Sequence, residues 1–202
     1  MPRIVLALVV TLLAGASERA WAQTVPPFEA GAQVVTVASG EFDTTDVGFG
    51  GRFGWKVSPL VGVEAEMSFF PGNLDNGASD FSASRVEGLF GVTVGPVLGR
   101  IRPFAKARPG FVSFSEASGP LICIAIFPPT LPCAMGGGDT LFAFDLGGGV
   151  EFFPTERTFI RLDLGDRLIR YNGPAIDSDG DVHDGTFFGH DVRFGVGGGI
   201  RF

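Results

Sequence analysis

Hydrophobic and polar residues alternate at every second position along most of the chain beyond residue 27. Successive side chains of a β-strand point to opposite sides of the sheet, so this period indicates strands with one apolar and one polar face. The pattern predicts eight strands, at residues 28–40, 46–57, 61–71, 84–98, 101–116, 140–154, 158–172 and 187–202. Each is long enough to cross a bilayer, which takes about 9–11 residues of a tilted strand.

The two faces of these strands differ sharply in character. One face is built mostly from Val, Leu, Ile and Phe, as at Phe49, Phe53 and Leu162. The opposite face carries charges that we expect to form ion pairs with one another: Arg52, Glu64, Glu66, Arg85, Glu87, Arg108, Asp145, Glu151, Arg161, Asp163 and Arg193. Six further charged residues share that face: Lys56, Arg102, Lys106, Arg167, Asp191 and Arg201. Pro109 predicts a bulge in the fifth strand, because proline cannot donate a ladder hydrogen bond.

Alternation does not show which face points inward, and two architectures fit it. In a lipocalin-like soluble barrel the apolar face lines a cavity, whereas in a transmembrane barrel it meets lipid and the charges fill the lumen. The connections favour the second architecture, because short ones at 58–60, 99–100 and 155–157 alternate with long ones at 41–45, 72–83, 117–139 and 173–186. One end then carries tight turns and the other carries loops, as in outer-membrane barrels. The predicted fold is all-β, an eight-stranded antiparallel up-and-down transmembrane β-barrel.

Aromatic residues lie where the predicted strands end. The stretch "SFFPG" (68–72) closes the third strand at the loop end, "EFFPT" (151–155) closes the sixth at the turn end, and Trp55 lies beside a tight turn. Such positions are typical of the aromatic girdles that outer-membrane barrels place at both interfaces. The alternative is that these Phe side chains fill the core of an ordinary β-sandwich.

The first residues have the composition of an export signal. Arg3 precedes an apolar run at 4–14, and "AWA" (20–22) fits the small-x-small rule for cleavage. The expected organisation is a cleaved signal peptide at 1–22, a linker at 23–27 and a barrel domain at 28–202. The formal net charge of −7 argues against nucleic acid as a partner, because binding to phosphates needs basic patches.

The chain resembles the small eight-stranded outer-membrane barrels of Gram-negative bacteria, the OmpA/OmpX-like superfamily. The resemblance rests on "GFGGRFGWKVSPLVGVEAEMSFFPG" (48–72), "FAKARPGFVSFS" (104–115) and "VRFGVGGGIRF" (192–202). It implies residence in the outer membrane, with lipid and lipopolysaccharide around the barrel, and no peptidoglycan-binding module is expected after Phe202. It also implies that the last strand is read by the barrel assembly machinery. The residues of this C-terminal assembly signal are Val192, Phe194, Val196, Ile200 and Phe202. Gly198 departs from the pattern, which usually has a bulkier apolar residue at that position.

Few residues are candidates for chemistry. Lipid A deacylases of similar barrels carry a His-x-Ser arrangement, but His183 and His190 are followed by "DG" and "DV". The loop "DSDGDVHDG" (177–185) spaces Asp residues by twos as calcium loops do, yet Phe188 stands where an EF-hand needs a Glu. We therefore predict no catalytic residue, metal or cofactor. Because exported proteins form disulfides, Cys123 and Cys133 are expected to pair.

These observations predict an integral outer-membrane protein, not an enzyme, with a structural or surface-interaction role such as adhesion. A pore for ions or small solutes is the alternative, since a charged lumen can also conduct. A lipid A-modifying enzyme is the third choice.

Overall fold

The computed structural model is a closed barrel of antiparallel strands. It describes residues 27–42, 44–71, 83–116, 127–177 and 180–202. Its elements in chain order are β1 (Phe28–Ser39), β2 (Thr44–Lys56), β3 (Val61–Phe70), β4 (Arg85–Val94), β5 (Ile101–Phe114), α1 (Leu131–Ala134), β6 (Asp139–Thr155), β7 (Thr158–Tyr171), β8 (Ala175–Ile176), β9 (Val182–His183) and β10 (Phe187–Arg201). All strands except β8 and β9 belong to the barrel, which β1 closes by pairing with β10. The predicted eight-stranded up-and-down barrel is confirmed.

Two details of the predicted strands are wrong, and proline explains both. Strand β4 ends at Val94 rather than at residue 98, because Pro96 has no N–H with which to extend the ladder. Pro109 causes no bulge. The β4–β5 ladder has a gap beside Pro109, between the pairs Leu89↔Gly110 and Val92↔Ala107, and the register is the same on both sides of this gap. The missing donor therefore removes hydrogen bonds without shifting one strand against the other.

The apolar face points outward and the charged face inward. Phe90, Leu164 and Val192 expose 61%, 57% and 59% of their surface on the outer wall, whereas Arg108 and Asp145 expose none inside. Apolar side chains pointing away from the barrel axis are stable only against lipid, because water contact costs roughly 25 cal/mol per Å² of apolar surface. The soluble lipocalin-like alternative is thereby excluded.

Glycines let neighbouring strands of this narrow barrel approach each other. Gly147 in β6 lies opposite Gly165 in β7, and a Cβ atom on Gly147 would stand only 2.5 Å from the Cα of Gly165. Gly199 in β10 lies opposite Gly31 in β1, with a corresponding distance of 2.6 Å. Side chains at these positions would push the walls apart, so the glycine runs set the spacing of the strands.

The long connections meet at one end of the barrel and contain small elements that periodicity did not predict. The β8–β9 hairpin pairs Ala175 with His183, and Thr130, just before α1, forms a bridge with Ile176. These elements are too short for a hydrophobic period to be recognised in the sequence. None of the helices in the described ranges is both long and apolar enough to span a membrane.

Candidate functional site: the ion-paired lumen

The turn-side half of the lumen is organised around two carboxylates. Glu151 accepts hydrogen bonds from Arg102 at 3.1 Å, Arg161 at 3.1 Å and Lys56 at 3.3 Å. Glu64 accepts from Arg161 Nη1 at 2.8 Å, Arg108 at 3.0 Å and Arg52 at 3.2 Å. Each carboxylate thus has several cationic partners, which offsets the cost of removing its charge from water.

The middle of the lumen continues this network without a break. Asp163 accepts from Lys106 Nζ at 2.6 Å and from Arg161 Nε at 3.2 Å. Arg108 joins Glu64 to Glu66, whose second partner is Arg193. These residues come from β3, β5, β7 and β10, so the charges tie opposite walls of the barrel together.

On the loop side the network ends in two groups. Arg193 Nε donates to Glu87 at 3.1 Å, and Arg167 joins Glu87 to Asp191. Arg85 Nη1 lies 2.7 Å from Asp46, while its Nε and Nη2 have no hydrogen-bond partner among the residues that the structure describes. All eleven residues predicted to form lumen ion pairs therefore line the interior, and each has at least one oppositely charged neighbour within 4 Å.

Two acidic residues of the lumen were missed by the sequence interpretation. Glu29 is 1% exposed and contacts Lys56, Arg52 and Arg201. Asp46 is the partner of Arg85. The outward position of Phe28 could have indicated that its neighbour Glu29 points inward. With these two, nine acidic residues face ten basic ones among the described residues of the lumen.

Aromatic rings also lie inside the barrel, and those of Phe70 and Phe153 were missed by the sequence interpretation. The guanidinium of Arg161 lies 4.1 Å from the ring centre of Phe104, and that of Arg201 lies 4.3 Å from Phe153. The sequence interpretation assigned both Phe residues of "SFFPG" and of "EFFPT" to the aromatic girdles, but only one residue of each pair faces lipid. Phe69 and Phe152 face lipid, whereas their neighbours, Phe70 and Phe153, face inward and are 2% and 6% exposed. Adjacent residues of a strand cannot share a face, so each pair supplies one ring to either side.

An apolar layer lies at the loop end of the lumen. It combines inward side chains of β5, β6 and β7 with residues of α1 and the segments beside it: Val112, Phe114, Leu131, Met135, Leu141, Ala143, Ile169, Tyr171 and Ala175. Cys133 lies in α1, and Cys123 lies outside the described residues, so their disulfide stays a prediction. The lumen is thus polar from the turn side to its middle, and an apolar layer covers its loop-side end.

The last strand has the arrangement expected from its sequence. Val192, Phe194, Val196, Ile200 and Phe202 all face outward. Phe28 and Phe202 exchange backbone hydrogen bonds of 3.1 and 3.0 Å, which extends the seam between β1 and β10. At this turn-side end the ring of Phe28 also packs against Phe53 and Phe202, with centroids 5.9 and 6.1 Å apart.

The hydrogen bonds described for the two histidines are made outside the lumen network. His183 Nε2 is 2.8 Å from Asp177 in the loop after β7, and His190 Nδ1 is 2.9 Å from Asp166 on the outer wall. Of the Asp residues of the acidic loop, Asp179 lies outside the described residues. Within the described ranges no three His, Cys, Asp or Glu side chains are grouped so that they could hold a metal ion.

Family comparison agrees with this geometry. The sequence matches the model of the outer membrane protein beta-barrel domain over residues 5–198. The chain belongs to this family. Membership in this family places the barrel in the outer membrane, where its outward apolar face meets lipid.

Solved structures of other outer-membrane barrels are similar to this one. Neisserial surface protein A shares 12% identity, with 87% of this chain and 97% of that chain covered and a TM-score of 0.54, which shows a common fold. Ail, the attachment invasion locus protein of Yersinia pestis, shares 11% identity over 88% and 99%, with a TM-score of 0.49. OprG of Pseudomonas aeruginosa shares 15% identity over 88% and 96%, with a TM-score of 0.48. No curated protein matches the chain.

Proposed function

We propose that this outer-membrane barrel is a non-conducting, non-enzymatic protein that contributes to membrane structure and presents its loop end to a partner. The observation that carries the proposal is the filled lumen, in which ion pairs run from Arg201 near the turns to Asp191 near the loops, beneath an apolar layer. An eight-stranded barrel is only wide enough for its side chains to fill. A conducting path would need many of these buried pairs to separate, and losing one partner of such a pair typically costs about 3–5 kcal/mol.

The arrangement of the loop end supports a role in contact with other molecules. Asp177 accepts a hydrogen bond from the backbone N–H of Asp181 at 2.8 Å and also holds His183, whose ring stacks on Phe187 with centroids 4.0 Å apart. Val182 of the β8–β9 pair is 57% exposed, and Phe127 in the neighbouring loop is 86% exposed. These two exposed apolar side chains are the contacts that the loop end offers to a partner.

Export and assembly complete the proposal. The segment at 1–22 acts as a cleaved signal peptide, and the barrel assembly machinery reads the outward apolar residues of β10. The loops then face the exterior, with lipopolysaccharide around the outer half of the barrel. The pairing of Phe28 with Phe202 supports this role of the last strand, because it closes the barrel where the chain enters and leaves.

Conductance in planar bilayers tests the filled lumen. The wild-type barrel is expected to show no stable openings, while the double variant Arg161→Ser/Glu64→Ser, which removes the central cross-lumen pair, is expected to show intermittent current. Steady ohmic current through the wild type would reject the proposal in favour of the pore. A change in the mass of lipid A after incubation with the purified barrel would instead favour the lipid A-modifying enzyme.

Surface contact is tested by adhesion of cells that display the barrel. Phe127→Ser and Val182→Ser should reduce adhesion to a responsive surface, because they remove the apolar contacts of the loop end. Leu60→Ser is the matched control, since Leu60 is 46% exposed in a turn at the opposite end. Equal adhesion by all three variants and the wild type would remove the loop end from the proposal.

A further inference from the structure

A polar pair interrupts the lipid-facing wall of the barrel. The outward residues of β7 are Ile160, Leu162, Leu164, Asp166, Leu168 and Arg170. Asp166 Oδ2 lies 2.9 Å from His190 Nδ1 in β10, and the side chains of Asp166 and His190 are 48% and 68% exposed. The Nδ1 of His190 donates this hydrogen bond to the carboxylate oxygen of Asp166, and Nε2 of His190 lies on the other side of the ring.

This position is unusual for polar groups. Charged side chains on the lipid face of an outer-membrane barrel are destabilising at depth and become tolerable only towards the interfaces. Ionisable groups within membrane-spanning segments are rare and indicate a functional site. Arg170, the next outward residue on β7 after Leu168, is also exposed and forms no ion pair with a described residue.

The three polar residues are adjacent on one surface. His190 lies directly opposite Leu168, whose neighbours along the outward row of β7 are Asp166 and Arg170. His190 therefore has Asp166 and Arg170 as its two diagonal neighbours, a separation that long side chains can span. The cluster lies towards the loop end of the wall, because Arg170 is the penultimate residue of β7 and pairs with Phe188 near the start of β10.

An apolar groove begins at this cluster and runs towards the turns. Its lining consists of Leu146, Gly147, Gly148, Leu164, Gly165 and Val192, with Asp166 at its rim, and it is a shallow depression of about 590 Å³ that is open towards the lipid. Gly148 occupies the outward position between Leu146 and Val150, so the wall lacks a side chain there. A Cβ at this position would lie 2.6 Å from the carbonyl oxygen of Phe104, and thus glycine is needed to form the groove.

We propose that this groove and the Asp166–His190–Arg170 cluster bind one phosphorylated glycolipid of the leaflet at the loop end. An acyl chain lies in the groove against Leu146, Leu164 and Val192. The guanidinium of Arg170 takes a phosphate, which its planar fork matches in geometry and charge. Nε2 of His190, oriented by Asp166, accepts a hydrogen bond from a sugar hydroxyl or amide. This inference deepens the proposed function, because it requires the loop end to face the leaflet that contains such lipids.

Native mass spectrometry of the purified full-length barrel in mild detergent measures this binding with lipopolysaccharide as the probe. The wild type is expected to retain one molecule. Arg170→Gln removes the phosphate contact and should weaken retention about ten-fold, the usual effect of losing one charge-assisted contact. Leu164→Phe fills the groove and should also weaken retention, because the acyl chain loses its place. Asp166→Asn should weaken it less, because the amide still orients His190.

The matched controls are Arg157→Gln, in a turn at the opposite end, and Leu162→Phe, one outward position below Leu164 on β7. Both should retain lipopolysaccharide as the wild type does. Equal loss in the controls would overturn the site, as would equal retention of dephosphorylated lipopolysaccharide or of phosphatidylglycerol, which lacks the sugar. Lipid binding is measured on the isolated barrel. Conductance by the wild type, or a lack of adhesion, would therefore reject the proposed function without affecting the result of the binding measurement.

Discussion

Arg161 in β7 donates two hydrogen bonds to Glu64 in β3, from Nη1 to Oε2 at 2.8 Å and from Nη2 to Oε1 at 3.0 Å. The two strands lie on opposite sides of the closed barrel. This forked pair therefore spans the lumen and connects walls that share no ladder hydrogen bond. It supplies both the geometric fit that a guanidinium offers a carboxylate and a tie across the barrel axis.

Neutralising Glu64 should destabilise the barrel strongly. Glu64→Gln removes the negative charge that Arg161, Arg52 and Arg108 share. Because these buried arginines then lack part of their compensating charge, the free energy of unfolding should fall by about 3–5 kcal/mol. The measurement is urea unfolding in lipid vesicles, followed by the fluorescence of Trp55 on the outer wall. Asp184→Asn removes the same charge from an exposed loop and should change stability by less than ~0.5 kcal/mol. Similar losses in both variants would contradict an ion-paired lumen.

Adjacent phenylalanines at the end of β6 should respond differently to one substitution. Phe153→Leu removes the ring that faces the guanidinium of Arg201 at 4.3 Å, which should cost about 2 kcal/mol because the contact is shielded from water. Phe152→Leu changes only a lipid contact and should cost less. Unfolding midpoints of the two variants, measured side by side, give the comparison, and a larger loss for Phe152→Leu would show that the inward ring is not important.

The last strand should determine assembly more than other lipid-facing residues do. Phe202→Ser together with Ile200→Ser should leave the chain unassembled and sensitive to periplasmic protease, because the assembly signal and the seam with Phe28 are both weakened. Fractionation and the heat-dependent gel mobility of folded barrels measure the outcome. Phe152→Ser with Ile160→Ser removes equivalent lipid contacts from β6 and β7. If that control fails to assemble to the same extent, the signal does not reside in β10.

A disulfide between Cys123 and Cys133 should stabilise the loop end without being needed by the barrel. Closing a loop of this length contributes about 2–3 kcal/mol in the chain-entropy model. Reduction should make the segment around α1 more sensitive to protease, while the folded gel mobility stays unchanged because the ladders hold the strands. Thiol titration of the unreduced protein is the direct measurement, and two reactive thiols would show that the bond is absent.

The period of two in the sequence was sufficient to predict the eight strands of the barrel and the residues of their apolar face. The outward positions of Phe49, Phe53 and Leu162 follow from alternation, because a strand has no other way to arrange successive side chains. Alternating short and long connections then indicated an up-and-down barrel with distinct ends. Where the prediction was wrong, at the end of β4 and at Pro109, the cause was local: a proline can stop a ladder or leave a gap in it.

The partners of each charge depended on the tertiary structure. Arg161 and Glu64 are 97 residues apart, and their contact depends on how far each strand is staggered when β1 closes onto β10. The same stagger places His190 beside Asp166 on the outer wall and brings α1 over the lumen. Alternation fixes the side of the sheet on which a residue lies, but its height in the barrel is set by the shear of the closed sheet. The sequence therefore determined which residues share a face of each strand, while only the closed barrel decided which face meets lipid and which charges meet one another.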